Sequence, residues 1–198
     1  MKKVVAILFL LLHFGSIAQV DALPDDTKVR PKGWQNGYIV MREKGDTIYG
    51  KVRRHNDWID FKKNETDKKK PYWSDSIKAY KYSDDCYCHF KYTGWTKLIV
   101  GGEINLFEGM STTALSAGTR CFVLKKGKEP ALFIERNNPF EGNNSITKGF
   151  GTISKDNLQE LRNYFFNDKG DYYERVKKED FKFNDIIKLV TDYNNALK

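Results

Sequence analysis

Between Gly37 and Arg136 apolar and polar residues alternate in short runs, and turn signals interrupt them roughly every eight to twelve residues. A period of two sends successive side chains to opposite faces of a strand, so this pattern commits the chain to sheet rather than helix. The runs at 38–43, 47–54, 58–62, 77–82, 86–92, 97–100, 103–107, 120–125 and 131–136 are rich in aromatic and β-branched residues, which suit a pleated surface. Lys44-Gly45-Asp46, Gly101-Gly102 and the stretch 126–130 are short turn sequences. Connections this short join antiparallel neighbours only. Residues 62–70 read as a charged loop closed by Pro71, and Ser74-Asp75-Ser76 as a turn or short helical start.

The period changes near residue 153. Ser154 can cap a helix whose first turn carries Asp156, favourable at the positive end of the helix dipole. Leu158, Leu161, Tyr164 and Phe165 follow at helical spacing. A second helix is predicted from about Asn184, with Ile186, Ile187, Val190, Tyr193 and Leu197 on one stripe. The expected fold is therefore α+β: an antiparallel β-meander, as a sheet or partly open barrel, followed by two C-terminal helices. The β-rich part spans 36–152, and the helical pair at 153–198 packs on the same domain.

At the N-terminus, Lys2 and Lys3 precede an apolar run over 4–14, and Ser16-Ile17-Ala18 places small residues ahead of Gln19. This is the pattern of a cleavable secretory signal ending at Ala18, and the run is shorter than the roughly 20 residues a spanning helix needs. Residues 19–35, with Pro24, Pro31 and Gly33, read as an extended leader. No cysteine follows the apolar run to accept a lipid, and no later segment has the length and apolarity of a transmembrane helix. The expected location is the periplasm or the extracellular space. The formal net charge of +8 would suggest nucleic acid inside a cell. For an exported chain, acidic glycans or envelope components are the natural counter-charges, and nucleic acid is not expected.

Few residues offer catalytic chemistry. Cys86-x-Cys88-His89 is the one cluster resembling metal ligands, but on a strand His89 faces away from both sulfurs, and a closed zinc site wants four ligands. No metal and no cofactor are expected. Cys86 and Cys88 share a face in poor geometry for bridging each other; Cys121 could pair with either, and three free thiols fit equally well. Nucleophile elbows, phosphate-cradling glycine loops and calcium loops are absent from the sequence. An acid–base pair would have to come from Asp84, Asp85 or Glu103. The basic runs are Lys62-Lys63, Lys68-Lys69-Lys70, Lys125-Lys126-Lys128 and Lys177-Lys178. Solvated loop lysines are the ordinary explanation of such runs. The functional alternative is a ligand-binding face in which Lys68, Lys69 and Lys70 supply charge while Trp58, Tyr72 and Trp73 supply stacking surface.

Gly37-Tyr38-Ile39-Val40 followed by residues 44–52, the segment Asp75-Ser76-Ile77-Lys78-Ala79-Tyr80, the stretch 98–107 and the closing Tyr193-Asn194 together resemble a family of uncharacterised exported proteins from Bacteroidota. The resemblance covers nearly all of the chain beyond the signal, but its motifs are structural and imply export without an activity. Many members carry a cysteine after the final Tyr-Asn, where this chain has Asn195. In such bacteria Asp46-Thr47-Ile48 and Asp75-Ser76-Ile77 resemble O-glycosylation acceptors, which would make Thr47 and Ser76 the modified residues. Both sites also read as ordinary turn-to-strand starts. The expected function is a non-enzymatic envelope or extracellular binding module, with a hydrolase of envelope polymers acting through paired carboxylates as the alternative.

Overall fold

The computed structural model describes residues 33–112, 119–136, 153–166, 170–178 and 180–198. The expected signal at 1–18 and the expected leader, up to residue 32, lie outside the described residues. Ten strands form: β1 (Gln35–Met41), β2 (Thr47–Arg54), β3 (Trp58–Lys62), β4 (Lys70–Trp73), β5 (Ile77–Tyr82), β6 (Asp85–Phe90), β7 (Gly94–Val100), β8 (Ile104–Met110), β9 (Arg120–Lys126) and β10 (Leu132–Glu135). Their hydrogen-bonded order is β10-β9-β8-β7-β6-β5-β1-β2-β3-β4, an open antiparallel sequence with β10 and β4 at its ends. The expected α+β class and antiparallel sheet are therefore present, as an open sheet, but the order is not a simple meander: β5 pairs with β1 rather than with β4, which is left at the edge. The chain divides into two compact units within β7, between Leu98 and Ile99.

In the first unit β1 is central, pairing with β2 on one side and β5 on the other. Gly45 adopts φ +70° in the turn between β1 and β2, a conformation that costs glycine nothing. Alternation then sorts the side chains. Ile39, Val52, Ile59, Phe61, Ile77, Tyr80, Tyr82 and Tyr87 form one buried cluster, with Met41, Ile48, Tyr72 and Trp95 packed against it. Gly50 lies on this face, where an added Cβ would stand 2.7 Å from the Phe61 ring. Tyr38, Tyr49, Lys51, Arg53, Trp58, Asp60 and Lys62 occupy alternate positions and so belong to the opposite face.

In this unit one strand departs from the sequence reading. Lys70–Trp73 is a strand, not the end of a loop. Pro71 sits opposite Asp60, and a residue without an N–H is tolerated there because β4 is an edge strand.

In the second unit β8, β9 and β10 carry α1 (Lys155–Tyr164), α2 (Tyr172–Val176) and α3 (Asp185–Ala196). Ser154 caps α1 as expected, its hydroxyl accepting from the Asn157 N–H at 3.2 Å. The sequence predicts two helices where the described residues hold three. The extra one, α2, is too short to show a periodic stripe, yet it buries Tyr172 and Val176. Leu106, Phe122, Leu124 and Ile134 from the strands meet Leu161, Phe165, Val176, Phe183, Ile186 and Val190 in a single core. Phe122 and Phe183 stack at 4.3 Å. Buried Asn194 spans the Ile104 backbone, accepting from its N–H at 2.9 Å and donating to its C=O at 2.8 Å. Gly102 makes room for it, since a Cβ there would lie 2.4 Å from the Asn194 amide carbon.

Candidate functional site

The polar face of β2, β3 and β4 gathers the groups that can hold a ligand. Antiparallel register places Arg53 opposite Asp60, Lys51 opposite Lys62, and Trp58 opposite Trp73. Cross-strand neighbours on one face stand close enough to touch, so this register brings charges and rings together. His55 stacks on Trp58 with centroids 4.5 Å apart, and Trp58 meets Trp73 at 5.1 Å, giving a ladder of three rings. Trp73 is 48 % exposed at its outer end.

Next to Trp58 on the same face of β3 lies Asp60, only 3 % exposed. It accepts from Arg53 Nη2 at 2.6 Å and contacts His55 Nε2 at 3.1 Å, with Lys69 Nζ at 3.7 Å. Burial alone would raise the Asp60 carboxyl. The hydrogen bonds from Arg53 and His55, with the Lys69 and Arg53 charges, outweigh it and hold the group below its ordinary value. Asp60 is thus a fixed anion that anchors three basic side chains. Trp34 adds a fourth ring, with the Arg53 guanidinium 5.2 Å and the Lys62 ammonium 4.6 Å from its centroid. Glu65 pairs with Lys51 at 3.0 Å and Lys62 at 3.7 Å. An open depression beside these pairs is lined by Asn36, Tyr49, Lys51, Lys63, Asn64 and Glu65.

Of the six residues the sequence singles out as a binding face, Trp58, Trp73 and Lys69 come together here. Tyr72 and Lys70 do not. They alternate to the other side of β4, where Tyr72 meets Phe61 edge-on at 6.1 Å and Lys70 lies over the Tyr72 ring at 5.0 Å. Lys68 is exposed in the loop before β4. Sequence reasoning missed Arg53, His55 and Asp60 as members of the site. Trp58-x-Asp60-x-Lys62 places Asp60 on the Trp58 face of β3, but its partners Arg53 on β2 and His55 before β3 become visible only with the cross-strand register.

The other candidates are dispersed. Asp84 and Glu103 are exposed, while Asp85 pairs with Lys97 at 2.7 Å and accepts from the Tyr87 hydroxyl at 3.3 Å. His89 contacts Trp95 at 5.2 Å, on the side of β6 away from Cys86 and Cys88, and among the described residues no metal-ligating group of three forms. Cys86, Cys88 and Cys121 are free thiols. Burial raises all three, Cys88 and Cys121 to about 12, so none carries the thiolate a nucleophile needs at neutral pH. Thr47 is the partly buried first residue of β2; Ser76 is exposed ahead of β5, its hydroxyl donating to Asp75 at 2.9 Å.

Fold and site together define a β-rich α+β protein presenting an aromatic, cationic sheet face. No family model, no curated protein and no solved structure matches the chain.

Proposed function

We propose that this is an exported, non-enzymatic binding module that holds acidic glycans of the envelope or extracellular space on the polar face of β2, β3 and β4. The observation that carries the reading is the His55–Trp58–Trp73 ring ladder set among Lys51, Arg53, Lys62 and Lys69. Aromatic faces accept the C–H faces of sugar rings, and ammonium or guanidinium groups pair with carboxylate or sulfate substituents. Only Asp60 and Glu65 oppose these four cations within the contacts above, so the face keeps net positive charge. Asp60 is too buried to meet a ligand and already accepts from cations, which suits a holder of side chains rather than a proton donor. Its role is positioning. The hydrolase alternative draws no support from Asp84, Asp85 or Glu103, whose surroundings are exposed turns and a salt bridge.

The test is tryptophan fluorescence of the chain from residue 19 onward, titrated with uronate- or sulfate-bearing oligosaccharides and with neutral ones. Saturable, salt-sensitive binding of the acidic set, lost in Trp73→Ala, is expected. Equal binding of neutral chains, or full binding by Trp73→Ala, would overturn the proposal. So would release of new reducing ends from any of these polymers.

A further inference from the structure

The opposite face of the same strands carries a second, separate constellation. Arg54, at the end of β2, lies on the apolar face beside Tyr80, Tyr82 and Tyr87. Its Nη1 donates to the Tyr87 hydroxyl at 3.0 Å, and its guanidinium stands 4.4 Å from the centre of that ring. No other hydrogen bond of this guanidinium occurs among the described residues. Tyr87 donates onward to Asp85, which Lys97 neutralises. Tyr82 donates to the Gly33 carbonyl at 3.0 Å.

Tyr80 is the exception. Its side chain is 1 % exposed, stacked on Tyr87 at 4.9 Å and met edge-on by Trp95 at 4.9 Å. Its hydroxyl has no hydrogen-bond partner among the described residues. Native proteins rarely leave a buried donor unpaired, and each such group calls for a missing partner. Tyr80 stacks nearly parallel on Tyr87, the ring whose hydroxyl takes the Arg54 hydrogen bond, so the phenol and the guanidinium both border Tyr87. Burial raises the Tyr80 phenol, and the Arg54 charge opposes that rise. Arg54 acts on Tyr82 in the same sense.

We propose that Arg54 and Tyr80 form a binding site for the carboxylate of a small organic acid, walled by Tyr82, Tyr87 and Trp95. The carboxylate would accept from the orphan Tyr80 hydroxyl and from the remaining N–H groups of Arg54, which forks naturally onto two oxygens. Charge decides between oxyanions. One guanidinium facing neutral phenols matches a monoanion, whereas the second charge of a phosphate dianion would meet no further cation beside Arg54 among the described residues. Arg54 is only partly buried, and the Asp85 and Lys97 side chains next to it are 37 % and 43 % exposed, so solvent reaches the rim.

The experiment follows side-chain NMR signals of arginine and tyrosine in the chain from residue 19 onward during titration with acetate, glucuronate and inorganic phosphate. Saturable shifts with acetate and glucuronate, and weaker ones with phosphate, are expected. Tyr80→Phe keeps the ring stack and removes only the hydroxyl; it should weaken carboxylate binding roughly ten- to hundred-fold, the loss that follows from removing one hydrogen bond to a charged group. Arg54→Gln should do the same. Trp73→Ala should leave acetate binding unchanged, which separates this site from the face proposed for glycans. Absence of saturable shifts with either carboxylate would overturn the proposal, as would phosphate binding more tightly, or Tyr80→Phe binding acetate like the parent.

Discussion

Replacing Asp60 by Asn removes one charge and almost no volume, and the expected outcome differs for stability and for binding. In the folded protein the carboxylate accepts from Arg53, contacts His55 Nε2 and faces the Lys69 ammonium. Each hydrogen bond to a charged group contributes about 1.5–3 kcal/mol. Against this, the buried carboxylate pays a desolvation cost that the amide avoids. The Arg53 and Lys69 side chains are 35 % and 60 % exposed, so water screens both. The net loss of stability at neutral pH should be roughly 1–3 kcal/mol, read by equilibrium urea unfolding. The pH dependence has a definite sign. Because the folded-state value of Asp60 is depressed, its contribution is complete above the unfolded value of about 3.9 and disappears as pH falls through the depressed one. The gap between Asp60→Asn and the parent should therefore close in acid. Affinity for acidic glycans should persist or rise, since a negative charge has left the face. Unchanged stability would refute the anchoring role. Loss of binding with the fold intact would refute the view that Asp60 does not touch the ligand.

Three further outcomes follow from the geometry. Trp73→Ala should abolish most glycan binding with little effect on unfolding, because the ring is half exposed; Tyr72→Ala should do the reverse, losing roughly 1–2 kcal/mol with the Phe61 contact and keeping affinity. Asn194→Ala should cost roughly 2–4 kcal/mol in urea unfolding, since it orphans both the N–H and the C=O of Ile104 in the interior. In the folded protein at neutral pH, Cys86, Cys88 and Cys121 should react with a thiol reagent far more slowly than after denaturation, because burial holds all three protonated; rapid native labelling of any of them would contradict that assignment.

Much of the fold was legible because antiparallel structure is local. The turn at Lys44-Gly45-Asp46, the alternation through β2, β3 and β5, and the Ser154 cap each sit within a few residues of what they determine. Two of the misreadings have a common cause. Lys70–Trp73 becomes a strand through its pairing with β3, and Pro71 argues against a strand only where a neighbour needs its N–H. The five-residue α2 is stabilised by the core that receives Tyr172 and Val176, not by any periodicity of its own. In both cases tertiary contact, not local propensity, decides the outcome.

The candidate site was half legible for a sharper reason. Proximity in sequence suggested that Lys69, Lys70, Tyr72 and Trp73 would act together, yet a strand separates neighbours onto opposite faces. Parity assigns Trp73 to the face of Trp58 and Asp60, and it assigns Tyr72 to the packed side with Phe61. The same rule separates Arg53 from Arg54: one anchors to Asp60 on the tryptophan face, while its neighbour turns to the tyrosines. Two adjacent arginines therefore serve two different surfaces. Parity within one strand can be read from sequence alone. Which strand lies alongside, and with what offset, cannot, and that offset is what sets Arg53 against Asp60 and joins His55 to the same carboxylate. A basic cluster in a β-rich chain is thus better read by alternate residues paired across strands than as a contiguous run.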